Sequence, residues 1–182
     1  MAKLAATTYG NALFELAVEE SKVDQLNEEA EAVLQVLKSE TELSKLMDHP
    51  KIVKEEKNKI LESIFKGRVS DDMVGFLLLL LKKDHYGEAI PTMEYFLAQV
   101  KEYKKIGIAY VTTAVELSQA QKKAVEAKLL ATTGYLTFEM HFSVDAALIG
   151  GMIIRVGDRV VDSSVRSKLM DLSRDLMKLQ LA

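Results

Sequence analysis

The side chains with any reach into chemistry are three histidines, a few acid pairs and a cluster of glycines. His49, His85 and His141 are scattered, and none stands four residues from another as a helical metal grip requires. Asp71 and Asp72, Glu19 and Glu20, and Asp158 and Asp162 are the carboxylate pairs that general acid and base work would use. Acids at such spacings also start helices or sit solvated, and only folding could set two of them across a cleft. Gly150, Gly151 and Gly157 come nearest to a phosphate cradle, yet neither G-x-x-x-x-G-K-[ST] nor G-x-G-x-x-G occurs. Gly151 is expected to open a strand and Gly157 to make a turn. Serine is plentiful, but there is no G-x-S-x-G elbow and no Ser, His and acid grouping that the sequence places together. Cysteine is absent, which removes disulfides, thiolate nucleophiles and Cys-ligated zinc. No catalytic residue, metal or cofactor is expected.

Composition narrows the classes further. The chain has 182 residues, 48% hydrophobic and 28% charged, enough for one domain or two small ones with a real core. Its net charge of −3 lacks the positive field that releases counterions from a phosphate backbone, which argues against nucleic-acid binding. Met1 to Leu16 is helix-like and has no secretory-signal pattern, so no export is expected. The densest apolar run, Val74 to Leu81, is far shorter than the ~20 residues that cross a bilayer core. Any membrane association must go through a partner.

The elements that position these residues fall into two series. Up to residue 105 the apolar residues recur at steps of three and four, as in Leu26, Ala30, Val33, Leu34 and Leu37. Similar stripes run from Leu4 to Leu16, from Val53 to Ile64 after a break at Asp48, His49 and Pro50, and from Ile90 to Val100. A short helix surrounds Leu43, Leu46 and Met47. Asp71 and Asp72 favour a helix start, Lys82 and Lys83 close it, and Met73 to Leu81 between them is apolar on every side. That helix is expected at the centre of a six-helix bundle over 1–105.

After Gly107 the period changes. Ile108 to Val115 is β-branched and aromatic, and Leu136 to Val144 alternates apolar with polar, the signature of a half-buried strand. Between them Ser118 caps a helix running to about Ala131. Met152 to Val156 and Arg159 to Asp162 flank Gly157 and Asp158, a pair suited to a two-residue hairpin turn. Arg155, Arg159, Asp158 and Asp162 are expected to form a salt-bridge network that fixes this hairpin. A last helix is capped by Ser163 or Ser164, with Val165, Leu169, Leu172, Leu176 and Leu179 at alternating steps of four and three. Its first turns are expected to cover the small sheet, and its end to meet a helix of another chain. Residues 106–182 thus read as a small α+β domain with a terminal helix, and the whole chain as α+β.

Ala147 to Leu169 reads A-L-I-G-G-M-I-I-R-V-G-D-R-V-V-D-S-S-V-R-S-K-L. This run, with Arg155, Gly157, Asp158, Asp162, Ser164, Val165, Arg166 and Leu169 in order, resembles the signature of the delta subunit of bacterial rotary ATP synthase. The mitochondrial members of that family are called the oligomycin sensitivity-conferring protein. Tyr9, Ala12, Phe14, Glu15 and Ala17 resemble the family's opening Y-A-x-A-L-F-x-x-A, with Gly10 in place of its usual alanine, a departure expected only to loosen the first helix. The order and length of the elements between the two ends agree, with a linker near Lys104 to Gly107 that is charged from Lys101 to Lys105, so the resemblance covers essentially the whole chain.

The resemblance implies a non-catalytic peripheral-stalk subunit, or stator, present as one copy per synthase. In that family the N-terminal bundle takes up an N-terminal helix of an alpha subunit between its first and fifth helices. The C-terminal domain engages the C-terminal region of the b subunit, so that proton flow couples to ATP synthesis. Carried onto this sequence, Tyr9, Ala12, Leu13, Leu16, Phe76, Leu79, Leu80 and Lys83 are expected to form the alpha-subunit groove. Arg155, Gly157, Asp158 and Asp162 shape the hairpin or touch the stalk, and Val165, Leu169, Leu172 and Leu176 face the b subunit. The implied location is the cytoplasmic face of the cell membrane, peripheral and without direct membrane insertion, in a bacterium more simply than in an organelle. Two alternatives come from other classes: a generic helical adaptor of another complex, and a small-molecule enzyme using an interdomain cleft with Asp158, Asp162 and His141 as its polar groups.

Overall fold

The structure is a computed structural model that describes residues 2–49 and 52–180, without the side chains of residues 2, 3, 41, 44, 48 and 178–180. Pro50, read above as part of a helix break, and the side chain of Leu179 lie outside it. The chain divides into two compact units, Met1–Lys101 and Glu102–Ala182.

The first unit is built from α1 (Ala2–Glu19), α2 (Val23–Ser39), α3 (Thr41–Asp48), α4 (Lys54–Phe65), α5 (Asp71–Lys82) and α6 (Ala89–Tyr103), with a short 3-10 turn, Tyr86–Glu88, before α6. The α2 stripe behaves as its spacing predicts: Leu26, Ala30, Val33 and Leu37 are all buried. They join Leu13, Leu61, Met93 and Phe96 around Met73, Leu77 and Leu80 of α5 in one apolar core. The expectation that α5 is enclosed on every side needs correction. Gly75 and Leu79 face outward, and Leu79 is 41% exposed, because the helices packed on α5 leave one of its sides uncovered.

Polar contacts fix the ends of these helices. Ser70 caps α5, its Oγ accepting from the Met73 amide at 3.3 Å and donating to Glu29 Oε2 of α2 at 2.6 Å. Lys57 of α4 is buried, and its Nζ donates to the Met47 carbonyl in the last turn of α3, satisfying an acceptor that the helix end leaves open. Gly10 does more than loosen α1. A Cβ there would lie 2.5 Å from the Tyr95 ring of α6, whose hydroxyl donates to Asn11 Oδ1 at 3.0 Å. The missing side chain therefore lets α6 approach.

The second unit contains β1 (Ile106–Thr113), α7 (Gln119–Thr132), β2 (Thr137–Val144), β3 (Met152–Val156), β4 (Arg159–Asp162) and α8 (Val165–Gln180). The sheet order is β2-β1-β3-β4, with β1 and β2 parallel and joined through α7, and the other pairs antiparallel. Ser118 and Gln121 form a reciprocal capping box at the start of α7. β1 begins two residues earlier than Ile108. Gly107 lies inside it, where a Cβ would meet the Phe138 ring of β2 at 2.4 Å. The connection between α6 and β1 is correspondingly shorter than expected: Lys101 to Tyr103 are helical, and only Lys104 and Lys105 remain, Lys105 with φ +54°. The β3–β4 register pairs Val156 with Arg159, which leaves Gly157 (φ +56°) and Asp158 as the two turn residues.

Candidate functional site

The polar residues that could carry chemistry are dispersed, and several have a structural use. Among the described residues no group of three or more His, Asp or Glu could hold a metal. Asp162 is at the end of β4, where Oδ1 accepts from the Ser164 amide at 2.8 Å and Oδ2 from the Ser167 hydroxyl at 2.6 Å. These donors, Ser167 first, hold its carboxyl below the usual aspartate range. Ser164 completes the start of α8 by accepting from the Ser167 amide at 3.2 Å, so it and not Ser163 is the cap.

His141 is on β2, at the opposite edge of the sheet from Asp162. Three strand spacings of ~4.8 Å separate the two residues, so no paired site forms. The imidazole stacks on Tyr110 at 4.9 Å, with Nε2 3.3 Å from Glu139 Oε1. From the neighbouring strand on the other side, the Arg155 guanidinium lies over the same Tyr110 ring at 4.7 Å. The expected salt-bridge network of the hairpin is absent among the described residues: Arg155 is taken up by an aromatic ring, Asp162 by a helix cap, and Asp158 is exposed in the turn.

The acid pairs of the first unit serve as a tie. Lys22, at the α1–α2 turn, binds Glu20 and reaches Asp72 at the start of α5 at 2.9 Å. Hydrogen bonds from this ammonium to Glu20 and then Asp72 raise its pKa above the ordinary lysine value. At the far end of α5, the His85 ring lies 5.4 Å from Tyr9 of α1. The end of α1 thus meets the start of α5, and Tyr9 meets the residues just past the end of α5. The two helices run antiparallel.

Along this pair the sequence-predicted groove residues separate into two sets. Tyr9 and Leu16 are half-buried, while Ala12, Leu79 and Lys83 are exposed. Gly75 adds an open step to the same surface, with no atom within 4 Å of where its Cβ would stand. Leu13, Phe76 and Leu80 belong to the core, at 1%, 8% and 0% exposure. They support the surface from behind and do not line it. Position on an apolar stripe could not separate floor from rim, because both kinds of residue repeat at the same spacing.

A second apolar face lies on α8. Val165, Leu169, Leu172 and Leu176 are all exposed, Leu172 by 58%, and Met170 and Met177 stand beside them. The expectation that the first turns cover the sheet is corrected here, since even Val165 is 37% exposed. The helix is anchored at its base. The Val165 amide donates to the Gly150 carbonyl at 2.9 Å, and a Cβ on Gly150 would lie 3.1 Å from Val165 Cγ2. Gly151 has φ +77°, and a Cβ there would lie 2.4 Å from the Ser163 carbonyl oxygen. Gly151 directly precedes β3, as the sequence reading has it, and with Gly150 it is also where α8 joins the sheet.

Comparison with known proteins agrees over the full length. The family of the ATP synthase delta (OSCP) subunit matches residues 5–176. ATP synthase subunit delta of Lachnoclostridium phytofermentans is 56% identical over 181 residues, all of both chains. The subunit delta of Synechococcus sp. is 33% identical over 95% of this chain and 96% of its own. A chain in the cryo-EM structure of the Toxoplasma gondii mitochondrial ATP synthase hexamer shares the fold, with a TM-score of 0.71 at 18% identity over 94% of this chain and 97% of that one. With a match of this extent, the chain belongs to the ATP synthase delta (OSCP) subunit family, the non-catalytic peripheral-stalk subunits of F-type ATP synthase.

Proposed function

We propose that this chain ties the catalytic head of the synthase to its b-subunit stalk through two apolar faces, one on each unit. The observation that carries the reading is the uncovered side of α5. Leu79 and Gly75 lie open on a helix whose other apolar residues are buried or, at Leu78, half-buried, beside Tyr9, Ala12 and Leu16 of α1. Such a strip between two helices receives the apolar face of a third, with the small residues permitting close approach and the large ones supplying area. The N-terminal helix of an alpha subunit is the proposed occupant. The exposed α8 stripe is the proposed contact with the C-terminal region of the b subunit, because its alternating steps of four and three suit packing against a second long helix.

The action is mechanical. Rotation of the central rotor drags on the head, and a subunit bound to both head and stalk resists that drag without making or breaking a bond. No helix among the described residues is long and apolar enough to cross a membrane. The proposed position is therefore peripheral, at the cytoplasmic face of the membrane and held there by the b subunit.

The groove is tested with a peptide of the first ~25 residues of the same organism's alpha subunit, long enough for several helical turns. Leu79→Asp places a charge against the occupant's apolar face and is expected to weaken the peptide roughly 100-fold, with circular dichroism unchanged. Undiminished affinity rejects this groove as the site. Recovery of head and stalk together from solubilised membranes on a tagged copy of the chain tests the complete tie.

A further inference from the structure

We propose that the start of α4 and the end of α5 enclose a binding site for a small monocarboxylate with an apolar tail, received by the buried ammonium of Lys57. The site is a cavity of about 440 Å³ within the first unit, in the size range of ligand pockets. Its floor includes Met47, Lys57, Leu81 and Tyr86, all buried, and its rim Val53, Lys54 and Asp84, all exposed. Leu81 stands two residues from Leu79, about 200° further around α5, so the cavity lies on the opposite side of that helix from the docking strip.

Lys57 sets the chemistry. An ammonium has three donors, and among the described residues the acceptor that this one reaches is the Met47 carbonyl. That carbonyl, in the last turn of α3, offsets part of the cost of burying a charge, and two N–H donors remain for a ligand. The acid of the cavity wall, Asp84, is held by Lys54 at 2.7 Å. Two lysines and one aspartate leave one positive charge in excess, and it stands on the floor. A single negative charge balances it, whereas a phosphate dianion exceeds it and meets Asp84 as well. The walls then become apolar toward solvent: Ile52 is half-buried, and Val53 is 55% exposed. A carboxylate entering head first therefore leaves its chain against Ile52 and Val53. At the ~30 Å³ that a water occupies in the liquid, the cavity has room for about a dozen heavy atoms, which a chain of octanoate length fits.

The test titrates the full chain, 15N-labelled, with octanoate, with octanol as the tail without the charge, and with inorganic phosphate as the charge without the tail. Octanoate is expected to move the amides of Ile52, Val53, Asp84 and Gly87 with a Kd of about 1 mM or tighter, and to bind about 10-fold better than either control. No shift at these amides, or equal binding of octanol or of phosphate, overturns the site. Lys57→Met removes the charge and keeps the length, and it should weaken octanoate about 10-fold or more. Val53→Asp changes an exposed position that precedes α4, where aspartate is a good helix cap, so folding is preserved while octanoate should weaken several-fold. Unchanged affinity in Val53→Asp, or in a folded Lys57→Met, also overturns the site.

Discussion

The first unit buries Leu13, Leu26, Leu61, Met73, Leu77, Leu80, Met93 and Phe96 almost completely, whereas the apolar residues buried in the second, among those described, are Ala109, Val111, Phe138 and Leu148. Both units come from one chain with similar stripes of leucine, so hydrophobic content does not explain the contrast. Architecture does. In a bundle of six helices each stripe has a neighbour, while a four-stranded sheet with α7 and α8 leaves α8 without one along most of its length. The first unit resembles a self-sufficient domain with an open strip, and the second leaves exposed an apolar surface of the kind that interfaces cover. On the proposed function the first would hold the head and the second the stalk.

The contrast is most sharply tested by paired truncations. Leu80→Ala, in the core, is expected to cost about 3 kcal/mol of unfolding free energy, read by urea denaturation of the full chain. Leu172→Ala on α8 should stay within about 0.5 kcal/mol in the free chain, while weakening capture of a b-subunit fragment. Equal losses of stability at the two positions would break the comparison.

Gly151→Ala sharpens it from the other side. The new Cβ must tolerate a left-handed backbone and collide with the Ser163 carbonyl, an expected cost of about 2 kcal/mol confined to the second unit. Amide exchange should accelerate in β3 and at the base of α8 and remain unchanged in α2 and α5.

The smallest effect is that of pH. Lys22 has a raised pKa in the folded chain, so its tie is at full strength below the ordinary lysine value of 10.5 and is lost as the pH climbs beyond it. Asp162 has a lowered pKa, so its cap of α8 is complete above the ordinary 3.8 and fails as the pH falls below it. Asp84, lowered mainly by its hydrogen bond from Lys54, makes the first unit acid-sensitive as well. Acid therefore touches both units, and alkali separates them. Strong alkali should lower the urea midpoint of the first unit slightly, and Lys22→Met should abolish that particular change.

Much of this organisation is legible in the residues themselves. The stripes of α2 and α6, the alternation of β2, the Ser118 cap and the Gly157–Asp158 turn all follow from local periodicity and local hydrogen bonding. What escapes depends on residues far apart in the chain. Gly10 receives a ring from Tyr95, Lys57 reaches the carbonyl of Met47, and Ser70 binds Glu29. The same limit governs the docking faces. Leu79 and Leu80 are identical neighbours in an unbroken apolar run, and only the placement of the surrounding helices decides that one is open and the other enclosed. The α8 stripe likewise has the same spacing whether its cover comes from its own sheet or from another polypeptide.

The passage from α6 to β1 has a bearing on load. Only Lys104 and Lys105 separate the last turn of α6 from β1, and two residues stretch to about 7 Å at most. Such a short tether has almost no slack to take up. Tension applied along the backbone at this point passes into a hydrogen-bonded element, helix on one side and strand on the other, within a couple of peptide bonds.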